Sequence, residues 1–275
     1  MKDTKIVVDS CVDFNDDSKD LERVPFKILI DDEEIVDSGL DINELIGKMK
    51  KTKNQIKTAC PSPEEFMNKF NEYKNIFAVT ISGQLSGSYN SAILAVNLLK
   101  EKFPDKFVHI FDCKTAATGE TLIALKVKQL VDENLNAQEI IEHTNKYISK
   151  LKTFFIVESL DNLAKNGRIT NFKAMLGNML HIVPIMGEDG EGKIVLKEQV
   201  RGRKKAFERL VDMIGENNVD FENTILGITH VNCIEKAEKL REQIISKYPF
   251  KEIKIFDASG LSTVYADNGG IIIAY

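Results

Sequence analysis

The sequence has few cysteines and no apolar run long enough to cross a membrane. Its four cysteines, Cys11, Cys60, Cys113 and Cys233, lie far apart and form no Cys-x-x-Cys pair. This spacing suggests neither a zinc site nor a disulfide framework and is typical of reduced thiols. The N-terminus MKDTKIVVDS begins with a strand-like run and has no signal peptide, and no stretch of about 18 apolar residues follows. We therefore expect a cytoplasmic protein without a membrane span.

The chain also lacks an excess of positive charge. It has 37 Lys and Arg against 42 Asp and Glu, which gives a formal net charge of -5. A molecule of this charge repels polyanions, so we expect no nucleic-acid partner. With 43% apolar and 29% charged residues in 275, the composition is that of a globular protein with a sizeable core.

Short apolar runs alternate with helical patterns in the first half of the chain. KIVVDS (5–10), NIFAVTI (75–81) and VHIFD (108–112) read as buried strands, and helical spacing lies between and after them. This alternation predicts a mainly parallel sheet covered on both faces. In the second half, IVPIMGEDGEGKIVLKEQV (182–200) predicts an antiparallel hairpin within a mixed sheet. We expect two α/β domains, 1–152 and 153–275.

The loop VTISGQLSGSYNSA (79–92) joins a predicted strand to a predicted helix and is rich in hydroxyl groups and glycine. Ligands of open parallel sheets bind beyond the carboxyl ends of the strands, and the first N–H groups of a helix suit an anion. No Gly-Lys-Ser/Thr follows, because Gly87 is followed by Ser88 and Tyr89, so the loop is not a triphosphate site. A carboxylate fits better; alternatively, Ser86 or Ser88 only caps the helix.

The segment TACPSPEEF (58–66) is a second candidate. Ser62, Pro63 and Glu65 have the pattern of an N-cap, a first-turn proline and a capping box. Capping does not account for Thr58, which is therefore the better ligand candidate. No group of Asp, Glu and His has metal-ligand spacing, so neither a metal nor a cofactor is expected.

A serine hydrolase is the alternative function. Ser86 lies near a strand–helix turn, one residue out of register with the Gly-x-Ser-x-Gly elbow. Of the four histidines, only His230 lies at a predicted strand end where it could act as a base. An esterase or thioesterase would use these two residues.

The run VRGRKKAFER (200–209) is the one basic segment. Its simplest interpretation is a solvated helix start. Alternatively, the segment contributes to a docking patch for an acidic partner, which would be formed by Arg201, Arg203 and Arg168 of the Asn-Gly-Arg turn.

These segments together resemble the DegV family, the bacterial fatty-acid-binding proteins that include the acyl-carrying subunits of fatty acid kinase. The resemblance runs over nearly the whole chain. It rests on segments that follow in the order expected for the family: IVVDSCVDF, TACPSP, ISGQLSGSYNSA, LDNLAKNGRIT, LGNMLHIVPIM, VRGRKKA and THVNCIEKAEKL.

The resemblance implies a non-catalytic carrier with a long-chain fatty acid enclosed between two α/β domains and a fatty acid kinase as its partner. Thr58 and Ser86 would hold the carboxylate, and Ser82, Gly83, Ser62 and Tyr265 complete the predicted head-group site. The sequence departs from the family where Gly83 replaces a serine and Tyr265 stands near the position of a histidine. The acyl chain would contact apolar side chains of the second domain: Phe155, Val157, Leu160, Leu163, Leu176 and Leu180.

Overall fold

The computed structural model describes residues 4–14, 21–170 and 181–275. Its first sheet has four parallel strands in the order β2-β1-β6-β7. The strands are β1 (Thr4–Asp9), β2 (Leu21–Val24), β6 (Asn75–Thr80) and β7 (Phe107–Asp112). The central strands are almost wholly buried, as expected of a parallel sheet with helices on both faces.

Helices cover both faces of this sheet. On one face α2 (Pro63–Asn71) packs with α3 (Ser88–Lys102) over Val7, Ile76 and Ala78. On the other face lie α4 (Thr118–Asp132) and α5 (Ala137–Lys150). Helix α4 also contacts strands of the second large sheet, so it lies between the two sheets.

A small antiparallel sheet extends the first half of the chain. It consists of β3 (Lys27–Ile30), β4 (Glu33–Val36) and β5 (Lys57–Ala59), with α1 (Ile42–Lys51) packed against it. Sequence analysis missed these three strands. A helix from the end of the chain, α9 (Gly260–Ala266), also packs here through Val264.

The second large sheet has six strands in the order β10-β9-β8-β13-β11-β12. They are β8 (Thr153–Ile156), β9 (Ile182–Glu188), β10 (Ile194–Arg201), β11 (Ile225–His230), β12 (Glu252–Asp257) and β13 (Ile271–Ala274). Only β11 and β12 pair in parallel. Among the residues described in this half, the helices are α6 (Asp161–Lys165), α7 (Arg203–Gly215) and α8 (Ile234–Lys247), besides α9.

The predicted fold class is confirmed: the first sheet is parallel, the second is mixed, and β9 and β10 form the expected hairpin. The strands of the parallel sheet all precede residue 152 and those of the mixed sheet all follow it. The division into domains at that residue stays a prediction. No helix within the described residues is both long and apolar enough to span a membrane.

Candidate functional site: an apolar cavity between the sheets

A cavity lies where the loops after the parallel strands meet the mixed sheet. The empty space among its lining atoms is about 850 Å³, a volume that includes open solvent at its mouth. Its wall is mainly apolar and comes from both halves of the chain, with Phe26, Ile81 and Leu85 on one side and Phe155, Val157 and Ile194 on the other. This lining is typical of a site for a small apolar ligand.

The carboxyl ends of the parallel strands supply one side of this wall. Cys11 follows β1, Ile81 and Ser86 follow β6, and residues 114–117 follow β7. These loops meet because neighbouring parallel strands end at the same edge of a sheet. The sequence predicted a ligand site at this edge, and the cavity opens there.

One part of the wall carries several polar groups. The hydroxyl oxygens of Thr58 and Tyr265 are 2.8 Å apart, and Ser86 also lines the cavity. Arg168 completes the group, with its guanidinium carbon 5.8 Å from the centroid of the Tyr265 ring. Its Nε donates to the Leu85 carbonyl at 3.1 Å, which fixes the cation in the wall. Three hydroxyl groups and one cation provide donors for an anionic group.

Thr58, Ser86 and Tyr265, which the sequence proposed for the carboxylate, therefore share one wall. Sequence analysis assigned Arg168 to docking and missed that it lines the cavity. The other two docking candidates lie elsewhere. Arg201 is exposed at the end of β10, and Arg203 pairs with Glu158.

Three residues predicted for the carboxylate site do not line the cavity. The Ser82 hydroxyl is buried and donates to the Gly192 carbonyl at 2.8 Å. The Gly83 N–H donates to Asp112 Oδ1 at 3.1 Å. Ser62 is the N-cap of α2, where its hydroxyl accepts from the Glu65 N–H. These groups shape loops and a helix start, so their placement gives no support to a binding role.

The predicted acyl-chain residues divide in a similar way. Phe155, Val157 and Leu163 line the cavity. Leu160 is buried in the packed cluster around them and does not line the cavity. Leu176 and Leu180 lie outside the described residues. Apolar wall residues that the sequence did not single out are Phe26, Ile194, Leu261 and Ile272.

The geometry does not supply the base that a serine hydrolase needs. His230 is buried, where its Nε2 lies 3.2 Å from Asp257 Oδ1 and its Nδ1 accepts from the Cys233 N–H. Burial lowers the pKa of this histidine. Among the described residues, no histidine lines the cavity that contains Ser86. A hydrolytic dyad requires nucleophile and base within hydrogen-bond reach.

Buried acidic groups lie beside the cavity, and sequence spacing did not reveal them. Asp9, Cys11 and Glu120 each bring one ligand-type atom to within 4.8 Å of the others. Asp9 accepts hydrogen bonds from the Ser88 hydroxyl at 2.6 Å and from the N–H groups of Cys11 and Ile81. Burial, together with the neighbouring Asp9, raises the pKa of Glu120 well above its ordinary value.

Comparisons with known proteins agree with this architecture. The DegV family model matches residues 3–275. A DegV domain-containing protein of Streptococcus gordonii is 34% identical over 284 residues, which cover 98% of each chain.

Solved structures extend the agreement to the fold. A DegV family protein from Ruminococcus gnavus, refined with vaccenic acid, has 39% identity and a TM-score of 0.94 over 99% of both chains. The Streptococcus pneumoniae fatty acid kinase (Fak) B3 protein, loaded with linoleic acid, has 32% identity and a TM-score of 0.91 over 99% of both chains. The present chain belongs to the DegV family.

Proposed function

We propose that this protein binds a long-chain fatty acid in the cavity. The observation that carries the proposal is the polar group formed by Thr58, Ser86, Tyr265 and Arg168 in a mainly apolar wall. A fatty acid has the same division, a carboxylate at one end of a hydrocarbon chain. The fatty acids held by the related proteins from Ruminococcus gnavus and Streptococcus pneumoniae support this ligand class.

The two parts of the ligand would be stabilised differently. The hydroxyl groups of Thr58, Ser86 and Tyr265 would donate to the carboxylate, and Arg168 would balance its charge. The chain would lie against Phe155, Val157 and Leu163, where burial contributes about 0.8 kcal/mol per CH₂. In this proposal, residues 1–152 are the domain that supplies Thr58 and Ser86 to the head-group site, and residues 153–275 are the domain that supplies Tyr265 and Arg168 and covers the chain.

We further propose that the protein is a non-catalytic carrier in the cytoplasm that presents the carboxylate to a fatty acid kinase. The likeness to the Fak B3 protein supports a kinase partner. The separation of His230 from the cavity wall argues against hydrolysis. The unpaired thiols of all four cysteines are consistent with a reducing compartment.

Arg168, Arg201 and Arg203 are the proposed contacts for that partner. Arg201 is exposed and Arg203 is partly exposed, so both are accessible to an acidic surface. Arg168 belongs to the Asn-Gly-Arg turn and also lines the cavity, so it could contact first the ligand carboxylate and then the partner. The planar guanidinium suits such contacts because it pairs with two oxygens at once.

The test combines extraction with substitution. Mass spectrometry of an organic extract of the purified protein should detect a fatty acid. Thr58→Val removes one hydrogen-bond donor to a charged acceptor, a loss of about 1.5–3 kcal/mol. We therefore expect Kd for a fatty acid to rise between about tenfold and a hundredfold, as measured by titration of delipidated protein.

Ser62→Ala is the matched control, because it removes a hydroxyl group that lies outside the cavity. It should leave Kd unchanged. An extract without fatty acid, together with equal Kd values for Thr58→Val and wild type, would refute the proposal. Hydrolysis of a model ester that Ser86→Ala abolishes would instead identify an esterase.

A further inference from the structure

A pair of threonines forms a second polar part of the cavity wall. Thr115 follows β7 and Thr153 begins β8, and both line the cavity. Their hydroxyl oxygens are 2.7 Å apart. Thr115 is 4% exposed and Thr153 is 6% exposed. Both side chains are therefore surrounded by other residues of the cavity wall and not by solvent.

Strand β8 gives the position of this pair relative to the first polar group. Side chains alternate along a strand, and Thr153 and Phe155 of β8 line the cavity together with Val157, the residue that follows the strand. Four residues of strand span about 13 Å. Val157 belongs to the packed cluster that includes Leu163 and contacts Tyr265, at the carboxylate-binding part of the proposed site. Thr153 therefore lies along the path of the acyl chain, far from its head group.

The pair retains hydrogen-bonding capacity. Each threonine hydroxyl offers one donor and two acceptor lone pairs. Their mutual hydrogen bond uses one donor and one lone pair. The Thr115 hydroxyl has a further carbonyl acceptor, that of Ala116, only at 3.5 Å, where a hydrogen bond is weak. A third oxygen atom could therefore join the pair as an acceptor, a donor or both.

The neighbouring wall is polar as well. Glu188, Gly192 and Lys193 of the β9–β10 hairpin line this part of the cavity. Lys114 also lines it and is held by Glu191 at 2.9 Å. An unsubstituted hydrocarbon chain would leave these buried hydroxyl groups without a third partner, whereas an oxygen on the chain would provide one.

We propose that the protein takes hydroxylated fatty acids, with the hydroxyl group on the distal part of the chain bound by Thr115 and Thr153. The inference rests on the proposed function, because it requires a carboxylate held near Thr58. A few polar groups in an apolar pocket fix orientation and specificity, and this pair would select for an oxygen at one position along the chain.

The test compares octadecanoic acid with a series of octadecanoic acids hydroxylated at single positions. The measured quantity is the ratio of the two Kd values in one protein, so a general change of affinity cancels. In the wild-type protein, an isomer hydroxylated in the distal half should bind about threefold to tenfold more tightly than octadecanoic acid, the effect of one neutral hydrogen bond. The isomer hydroxylated beside the carboxylate is the ligand control and should show no such advantage.

Substitutions assign the preference to the pair. Thr153→Val and Thr115→Val keep the shape of the side chain without the hydroxyl group, and each should bring the ratio close to one. Thr153→Ser retains the hydroxyl group and should retain the preference, which keeps the test decisive if a valine variant does not fold. A wild-type ratio of one at every position, or a preference that survives the valine variants, would overturn the inference. Failure to bind octadecanoic acid at all would instead refute the proposed function.

Discussion

At the scale of single residues, Ser82 and Gly192 join the two halves of the molecule. Gly192 lies in the β9–β10 turn with φ +94°, a backbone conformation that favours glycine. A Cβ atom there would overlap the Ser82 hydroxyl oxygen and lie 3.0 Å from Lys114 Cα. The close approach allows the Ser82 hydroxyl to donate to the Gly192 carbonyl. The hydroxyl group that the sequence offered as a ligand is therefore used to hold the hairpin against the strand ends.

Gly192→Ala tests this contact, and Gly190→Ala is its matched control in the same turn. Gly190 also has positive φ, +89°, but a Cβ atom there would meet nothing within 4 Å. Both variants have the backbone strain, of order 1–3 kcal/mol, and only Gly192→Ala adds the overlap. We expect the larger loss of unfolding free energy for Gly192→Ala, measured by urea denaturation, and partial recovery when Ser82→Ala is added. Equal losses for the two glycine variants would contradict the tight contact.

At the scale of elements, the sequence predicted best where periodicity and capping agree. Ser62, Pro63 and Glu65 predicted the start of α2, and the structure confirms the cap, the first-turn proline and the capping box. The hairpin at 182–200 was recognised because turn residues separate two apolar runs. The strands of the small sheet were missed because each has only three or four residues, too few for a period-two pattern to be clear.

The cavity was predicted in part for similar reasons. Strand ends in a parallel sheet meet at one edge, so the loops containing Cys11 and Ser86 could be grouped from sequence. Thr115 and Thr153 lie in different halves of the chain, and their contact depends on how the two sheets pack. No local pattern carries that information. The roles of Ser82 and Gly83 were also out of reach, because short hydroxyl-rich loops use the same residues for turns as for ligands.

Ser62→Ala tests whether the Ser62 hydroxyl stabilises the start of α2 or binds the ligand. Loss of the cap should lower the free energy of unfolding by about 1 kcal/mol. Denaturant midpoints should detect the change, and Glu65→Ala should produce a similar shift because it removes the other half of the capping box. If the Ser62→Ala variant kept its stability but lost bound fatty acid, Ser62 would be a residue of the head-group site and not only a helix cap.

At the scale of the whole molecule, buried carboxyl groups join the N-terminal loops to the C-terminal half. Asp13 accepts hydrogen bonds from the Thr229 hydroxyl and the Ser259 N–H, both at 2.8 Å. Asp37 accepts from the N–H groups of Gly260 and Leu261 at the start of α9. Burial raises the pKa of Asp13 to about 6 and also raises that of Asp37. The stability of the assembled molecule should therefore depend on pH.

Glu120 allows this dependence to be measured, because it lies on α4 between the two sheets and is wholly buried beside Asp9. Its pKa is raised in the folded state, whereas the unfolded chain loses this proton near the ordinary value of 4.5. Above that pH the folded state binds more protons than the unfolded state, so the free energy of unfolding falls as pH rises towards the raised pKa.

Glu120→Gln removes this titration and keeps a neutral side chain of similar shape. Near pH 4 the variant and the wild type should have similar pH slopes. Above pH 4.5 the variant should gain stability relative to the wild type, by at most about 1.4 kcal/mol per pH unit. Urea unfolding across this pH range measures the difference, and Asp13 and Asp37 titrate in both proteins.

Glu133→Gln, at an exposed position just after the same helix, controls for the loss of a surface charge. Parallel curves for Glu120→Gln and wild type would contradict the raised pKa, because they would mean that Glu120 ionises in the folded protein as it does in the unfolded chain.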